Sequence, residues 1–288
     1  MKDNIRTVVQ IGVTVVTNGY VQGFTRGTIY QGKLKEVCVP GLNCYSCPGA
    51  FGSCPIGSLQ AVLGSSNYKF SFYVIGFLFA FGAIFGRFVC GWLCPFGLVQ
   101  DLLYKIPFYK KIKNLPGHKY LKYLKYVILV IFVILLPLIV VDIIGQGSPW
   151  FCKLICPSGT LSAGWTLAIL DPTLRDALGW LFAWKSLVLV VIIILSIISY
   201  RPFCKYLCPL GGIYGVFNPI AFYRFRIDED RCTGCKTCEK KCPMDIEVYK
   251  KPNSPECIRC GKCKTACPHN AIIATVGNKS NMKGKDND

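Results

Sequence analysis

Histidine is nearly absent: His118 and His269 are the only two in 288 residues, so the chain cannot build a bis-histidine transmembrane haem by itself. Acidic residues are also scarce, with 15 Asp and Glu against 33 Lys and Arg, for a formal charge of +18. A strongly basic chain can bind nucleic acid, but 52% of these residues are hydrophobic, which points instead to a membrane protein with basic loops. A cleavable leader is not expected, because polar residues interrupt the N-terminal apolar stretch and no clear small-residue cleavage site follows it.

Cysteine is abundant, with eighteen copies. Eight form two matching runs, Cys232-x2-Cys235-x2-Cys238-x3-Cys242-Pro243 and Cys257-x2-Cys260-x2-Cys263-x3-Cys267-Pro268, the spacing that wraps [4Fe-4S] clusters. Short two-residue steps let one tight loop supply three thiolates, and the fourth comes from the other run. One cluster is therefore assigned to Cys232, Cys235, Cys238 and Cys267, and the other to Cys257, Cys260, Cys263 and Cys242. Structural zinc also uses C-x2-C pairs, but the duplicated four-cysteine run closed by proline is far more restrictive. Such a pattern implies electron transfer. With all eight positions filled by cysteine, His269 reads as a helix-start residue near a cluster.

Four stretches suit a bilayer core of about 30 Å, which takes about 20 apolar residues in helical form. They are Thr7 to Phe24, Phe70 to Val89, Tyr126 to about Gly145, and Leu178 to Tyr200. Gln10, Asn18 and Gln22 soften the first, and Lys185 interrupts the last near its start, where a lysine can snorkel. Thr160 to Leu170 is short enough for a re-entrant or interfacial helix. Lys105, Lys110, Lys111, Lys113, Lys119, Lys122 and Lys125 crowd the loop after the second span, whereas Gly147 to Ala177 carries only Lys153 and Arg175. The basic loop is expected in the cytoplasm, with both termini. Tyrosines interleave these lysines as on an RNA-binding face, but topology and anionic lipid explain the loop better, and no nucleic-acid partner is expected.

The other ten cysteines carry a repeat. Arg87-x2-Cys90-x3-Cys94-Pro95-x-Gly97 recurs as Arg201-x2-Cys204-x3-Cys208-Pro209-x-Gly211, and Cys152-x3-Cys156-Pro157-x-Gly159 lacks the arginine. In a helical segment the two thiols of a pair stand about 6 Å apart along the axis on one face, so a cluster needs two pairs to meet. Cys90 and Cys94 with Cys204 and Cys208 would do so at the cytoplasmic face. Opposite them, Cys152 and Cys156 would face Cys38-x5-Cys44-x2-Cys47-Pro48-x5-Cys54-Pro55. Cys44 and Cys47 are the simplest partners there, although thiols on that side can equally pair as disulfides. Most of the bilayer core would separate the two sites.

GRFVCGWLCPFGLVQD from Gly86 to Asp101, RPFCKYLCPLGGIYG from Arg201 to Gly215 and the two C-terminal runs resemble the NapH-type membrane ferredoxins, over roughly Phe70 to Ile273. That group includes a quinol-oxidising subunit of periplasmic nitrate reduction and, more distantly, membrane parts of nitrous-oxide accessory proteins and of a copper-assembly ferredoxin. The resemblance implies that electrons from the quinol pool pass through iron-sulfur centres to a partner reductase. The third Cys-x3-Cys-Pro and the Cys38 to Cys54 segment depart from its two-motif pattern, and no flavin-attachment domain is evident.

The fold expected is a polytopic α-helical membrane protein of about four spans, with a small α+β two-cluster ferredoxin-like domain at its C-terminus. Residues 1–221 form the membrane domain, 222–276 the ferredoxin-like domain and 277–288 a polar disordered tail. Expected cofactors are two [4Fe-4S] clusters, with one or two more at the Cys-x3-Cys-Pro motifs. Expected partners are lipid, subunits of an oxidoreductase and a quinone. Asp142, and Gln100 with Asp101, are candidate quinone contacts or ordinary boundary residues. The function expected is electron transfer as a quinol dehydrogenase-like subunit; the alternative is a factor that reduces a metal or matures a cofactor in another metalloenzyme.

Overall fold

The computed structural model describes residues 3–65, 72–143, 146–171, 173 and 178–277, and the tail expected from residue 278 lies outside them. Apolar runs set the longest helices. Trp180–Ile198 has 19 residues and His118–Ile139 has 22, lengths of about 28 and 33 Å at 1.5 Å per residue. Both are long and apolar enough to cross a membrane, and only 17% and 22% of their most apolar windows are buried. A helix in the core of a soluble protein would be mostly covered, whereas these turn their side chains outward. The second winds as a π-helix over Leu129–Leu135 and returns to α over Leu136–Ile139.

The two other expected spans come out shorter. Asp3–Thr17 has 15 residues and stops where Asn18, Gly19 and Tyr20 leave the helix, with a separate short helix over Val21–Arg26. Phe72–Phe85 has 14, and the expected start at Phe70 lies outside the described residues, as does the expected end of the third span at Gly145. Of the polar residues that softened the first stretch, Gln10 is buried, Asn18 half-buried and Gln22 exposed, and Arg6 just before the stretch is buried as well. Arg6 donates to the Tyr200 hydroxyl at 3.1 Å and pairs with Asp101 at 3.1 Å.

Proline punctuates the cysteine motifs. Pro55, Pro95, Pro157 and Pro209 each follow a cysteine directly and occupy the first turn of a helix, where their fixed φ and missing N–H cost nothing. At the C-terminal end, β1 (Tyr223–Ile227) and β2 (Ile272–Val276) pair antiparallel, with Phe225 opposite Ala274. This ribbon brackets both cysteine runs.

Candidate iron-sulfur centres

Backbone geometry repeats between the C-terminal runs. Gly234 and Arg259 precede the second cysteine, Lys236 and Gly261 follow it, and Asp245 and Asn270 lie three beyond the fourth; all six have positive φ. Left-handed residues among right-handed ones turn successive N–H groups toward one point, a cradle for negative charge. Cys232, Cys235, Cys238 and Cys267 line one cleft between Ile227 and Tyr249. In the other set, burial first, and then repulsion from Cys260 and Cys242, pushes Cys257 up to about 12, and Cys263 is raised by burial and by the same three neighbours. Both groupings take three thiols from one run and the fourth from the other.

The Cys-x3-Cys-Pro motifs gather into two further sets. At the first, burial and then Cys204, Cys90 and Cys94 hold Cys208 well above the ordinary thiol range, so these four thiols are neighbours. The two arginine motifs interlock. Arg87 Nη2 donates to the Cys204 carbonyl at 2.8 Å, and Arg201 Nη1 donates to the Cys90 carbonyl. Both guanidinium groups are fully buried and compensated: Arg201 Nε donates to Asp101 at 2.7 Å, and Arg87 pairs with Glu256 at 2.8 Å. Arg201 itself sits at φ 49, a strained backbone just before Pro202 that its clamp holds in place.

At the second, the thiols share a cavity of about 1110 Å³ whose lining includes Cys44, Cys54, Cys152, Cys156, Asn43 and Lys185. Burial, then repulsion from Cys44, raises Cys156 to about 12. Cys47 is buried outside that lining; Cys38 is on it, with its Sγ 3.7 Å from the hydroxyls of Ser53 and Ser58. Cys54 thus stands where Cys47 was expected. Lys185 lines the cavity wall.

The arginine site and the cavity site are close, contrary to the separation expected from a loop outside the bilayer. The loop folds inward: Leu42 N–H donates to Cys94 Sγ at 3.4 Å, and the N–H of the next residue, Asn43, faces Cys54 Sγ. One peptide unit therefore links the two thiols, which stand within about 11 Å of each other.

The C-terminal cysteine runs abut the arginine site. A Cβ on Gly91 would lie 2.2 Å from the Ile258 carbonyl oxygen, so only glycine admits the loop carrying Cys257 and Cys260. Trp92 Nε1 donates to Arg259 O at 3.1 Å, and Asn218 Nδ2 donates to Cys257 O at 2.7 Å. Glu256, directly before Cys257, takes both Arg87 and Lys125.

Sequence reasoning missed Glu256, Asn218 and Gln60, and it weighed Gln100 and Asp101 only as quinone contacts or boundary residues. Asp101 is instead the buried counter-ion of Arg201 and Arg6. Gln100 Nε2 donates to Cys204 Sγ at 3.1 Å. Asp142 is exposed, its N–H on Gln146 O at 2.9 Å, and His118 contacts the Tyr206 hydroxyl at 3.1 Å.

Among the described residues no three His, Cys, Asp or Glu side chains gather tightly enough for a single metal ion. Tetrahedral zinc with 2.3 Å bonds needs thiolates about 3.8 Å apart, whereas the four irons of a cubane each take one thiolate and spread them wider. All-thiol sets with converging backbone N–H groups are the donor chemistry of a [4Fe-4S] cluster. Burial that keeps Cys204 up to about 11 as a free thiol is offset when a cation takes the thiolate.

Comparisons with known proteins agree. A profile described as a 4Fe-4S binding domain matches residues 70–116, 126–169 and 177–227, and one described as a 4Fe-4S dicluster domain matches 231–272. An uncharacterized protein of Methanocaldococcus jannaschii is 32% identical over 211 residues, 73% of this chain and 72% of its own. The putative electron transport protein YccM of Escherichia coli is 25% identical over 184 residues, 62% of this chain and 48% of its own. The ferredoxin-type protein NapH of Haemophilus influenzae is 28% identical over 207 residues, 65% of this chain and 62% of its own. No solved structure matches. With its paired cysteine runs, its interlocked Cys-x3-Cys-Pro motifs and these relatives, the chain belongs to the NapH-type 4Fe-4S ferredoxin family.

Proposed function

We propose that the protein is a membrane-embedded electron relay, passing electrons between the quinone pool or a cytoplasmic donor and a partner reductase. Two clusters are held by the C-terminal runs, as assigned above, and a third by Cys90, Cys94, Cys204 and Cys208. When bound, such clusters carry single electrons at potentials tuned by burial, charge and hydrogen bonds to sulfur. One observation carries the reading: the helix bearing Cys90 touches the loop bearing Cys257 and Cys260, with Gly91 against Ile258. Arg87, Glu256 and Asn218 lock that contact, so the chain fixes the distance between two thiol sets.

The outward-facing apolar sides of Trp180–Ile198 and His118–Ile139 support membrane embedding, with the shorter helices Asp3–Thr17 and Phe72–Phe85 completing a four-helix bundle. Lysine placement supports a cytoplasmic position for the C-terminal residues 222–276.

In the test, anaerobically purified protein in detergent is reduced, mixed with a quinone analogue and followed by EPR. Rapid reoxidation, lost in Cys90→Ser with Cys204→Ser, is expected, together with lower iron in that variant. No reoxidation removes the quinone link, and unchanged iron and spectra remove the third cluster. The thiol-lined cavity favours a second reading, a factor that reduces or hands on a metal for another enzyme. Deletion separates the two: an electron donor leaves its target loaded but unreduced, and a maturation factor leaves it without metal.

A further inference from the structure

Four cysteines followed by Pro-x-Gly stand at helix starts, Cys54, Cys94, Cys156 and Cys208, and in each the glycine N–H faces the cysteine sulfur, with Gly211 donating to Cys208 Sγ at 3.4 Å. Two of them continue into a longer motif, Cys54-Pro55-x-Gly57-x2-Gln60 and Cys94-Pro95-x-Gly97-x2-Gln100. The two glutamines make the same three bonds. Gln100 Nε2 reaches Cys204 Sγ at 3.1 Å and Phe96 O at 3.5 Å, and its Oε1 accepts from Phe203 N at 3.2 Å. Gln60 Nε2 reaches Cys152 Sγ at 3.4 Å and Ile56 O at 3.2 Å, and its Oε1 accepts from Phe151 N at 2.9 Å. Phe151-Cys152-Lys153 and Phe203-Cys204-Lys205 are the matching partner segments. The cavity site is therefore a second copy of the arginine site, and the match selects Cys54, as the counterpart of Cys94, from the cysteine-rich loop.

We propose that Cys44, Cys54, Cys152 and Cys156 hold a further iron-sulfur cluster, a duplicate of the one at the arginine site and its neighbour in the electron path. The inference rests on the reading of the arginine site as a cluster site. Two of its ligands, Cys44 and Cys54, lie outside the residues that the family profiles match. A separate observation points the same way: Asn43 Nδ2, in a residue only 4% exposed and on the cavity lining, finds no acceptor among the described residues. A buried amide donor beside these thiols awaits an acceptor such as a thiolate or cluster sulfide. A Cβ on Gly159 would come within 3.3 Å of Cys44 Sγ, which places Cys44 against the helix start behind Cys156. With Cys94 and Cys54 within about 11 Å of each other, the path that begins in residues 222–276 extends to the cavity.

The test is iron and acid-labile sulfide per chain in anaerobically purified full-length protein, with EPR of the reduced state. Cys54→Ser and Cys156→Ser should each lose about four irons, and Cys47→Ser and Cys38→Ser none. Cys204→Ser reports separately on the arginine site. Loss there with none at Cys54 or Cys156 overturns the cavity cluster and leaves the proposed function standing; no loss at any of the three overturns both. A disulfide between Cys44 and Cys54 in thiol-trapping of the same preparation, or iron lost with Cys47 instead of Cys54, also overturns it. Gln60→Leu keeps every thiol and should keep its iron. It should shift one cluster signal to lower potential, by about 59 mV for a tenfold change in its oxidised-to-reduced ratio. An unshifted signal overturns the duplicate role of Gln60.

Discussion

The arginine site and the cavity site share their helix starts, their glycine donors and their glutamines, yet their surroundings differ. At the first, two fully buried guanidinium groups close over cysteine carbonyls and are neutralised by Asp101 and Glu256. At the second the Cys152 motif has no arginine, and a cavity of about 1110 Å³ with Lys185 on its wall opens beside the thiols. The same scaffold thus serves a locked position, joined on one side to the C-terminal cysteine runs, and an accessible one. Access and rigidity are separated by the presence or absence of one ion-paired arginine per motif.

That contrast is broken most directly at Arg201. Arg201→Met leaves Asp101 with Arg6 alone and removes the clasp on Cys90. Removing one partner of a buried pair costs about 3–5 kcal/mol. Thermal unfolding in detergent should show that loss, whereas Lys185→Met on the cavity wall should stay within about 1 kcal/mol. Equal losses would mean that the two sites are held alike.

Asp101 supplies the next effect, and it depends on pH. Although burial alone would raise it, Arg201 and Arg6 hold its carboxyl below the ordinary aspartate range. A depressed folded value stabilises the fold above the unfolded value near 3.9, and the contribution fades as pH falls through the folded value. Asp101→Asn should therefore cost about 1.5–3 kcal/mol at pH 7. The difference from the unaltered protein should narrow only below about pH 4; a gap that stays constant to pH 3 would exclude an ionised Asp101 as the clamp.

Much of this arrangement was legible in the chain. Eight cysteines at ferredoxin spacing announce a 4Fe-4S domain, because a loop of two-residue steps has few ways to close around a cubane. The two longest helices follow from unbroken apolar runs. What could not be read depends on contacts between residues far apart in sequence. Leu42 meets Cys94 across 52 positions and Arg201 meets Asp101 across 100, so neither the buried loop nor the clasp leaves a local trace. Gln60 and Gln100 did leave one, the repeated Cys-Pro-x-Gly-x2-Gln, but a glutamine one turn beyond a glycine has no obvious chemistry until its sulfur partner is in place. The polar residues of the N-terminal stretch marked it as a poor span, yet gave no helix length.

The contact between the arginine site and the C-terminal runs gives a smaller expected effect. Gly91→Ala drives a methyl group to 2.2 Å from the Ile258 carbonyl oxygen, and backbone must move. Overpacking of this kind costs about 1–3 kcal/mol. Faster protease cleavage between residues 218 and 231 is the expected readout, since the Asn218 and Trp92 bonds to this loop would loosen. Unchanged cleavage would mean that this glycine does not set the approach.

The finest test lies in the equivalent glycines. At the arginine site an added Cβ on Gly97 would stand 3.1 Å from Cys90 O and 3.2 Å from Arg201 Nη1, and one on Gly211 would stand 3.2 Å from Arg87 Nη2. At the cavity site the Cβ on Gly57 would meet nothing nearer than 3.9 Å. The motif is the same, but a guanidinium group stands against Gly97 and Gly211, whereas the space at Gly57 is free and that at Gly159 is met by Cys44 Sγ at 3.3 Å. Gly97→Ala should therefore displace Arg201 and cost about 1 kcal/mol, with Gly57→Ala within about 0.5 kcal/mol of the unaltered protein. Paired thermal unfolding measures the difference. If Gly57→Ala proves as costly as Gly97→Ala, the glycine is required by the cysteine motif itself, and the arginines are not what makes the first site tight.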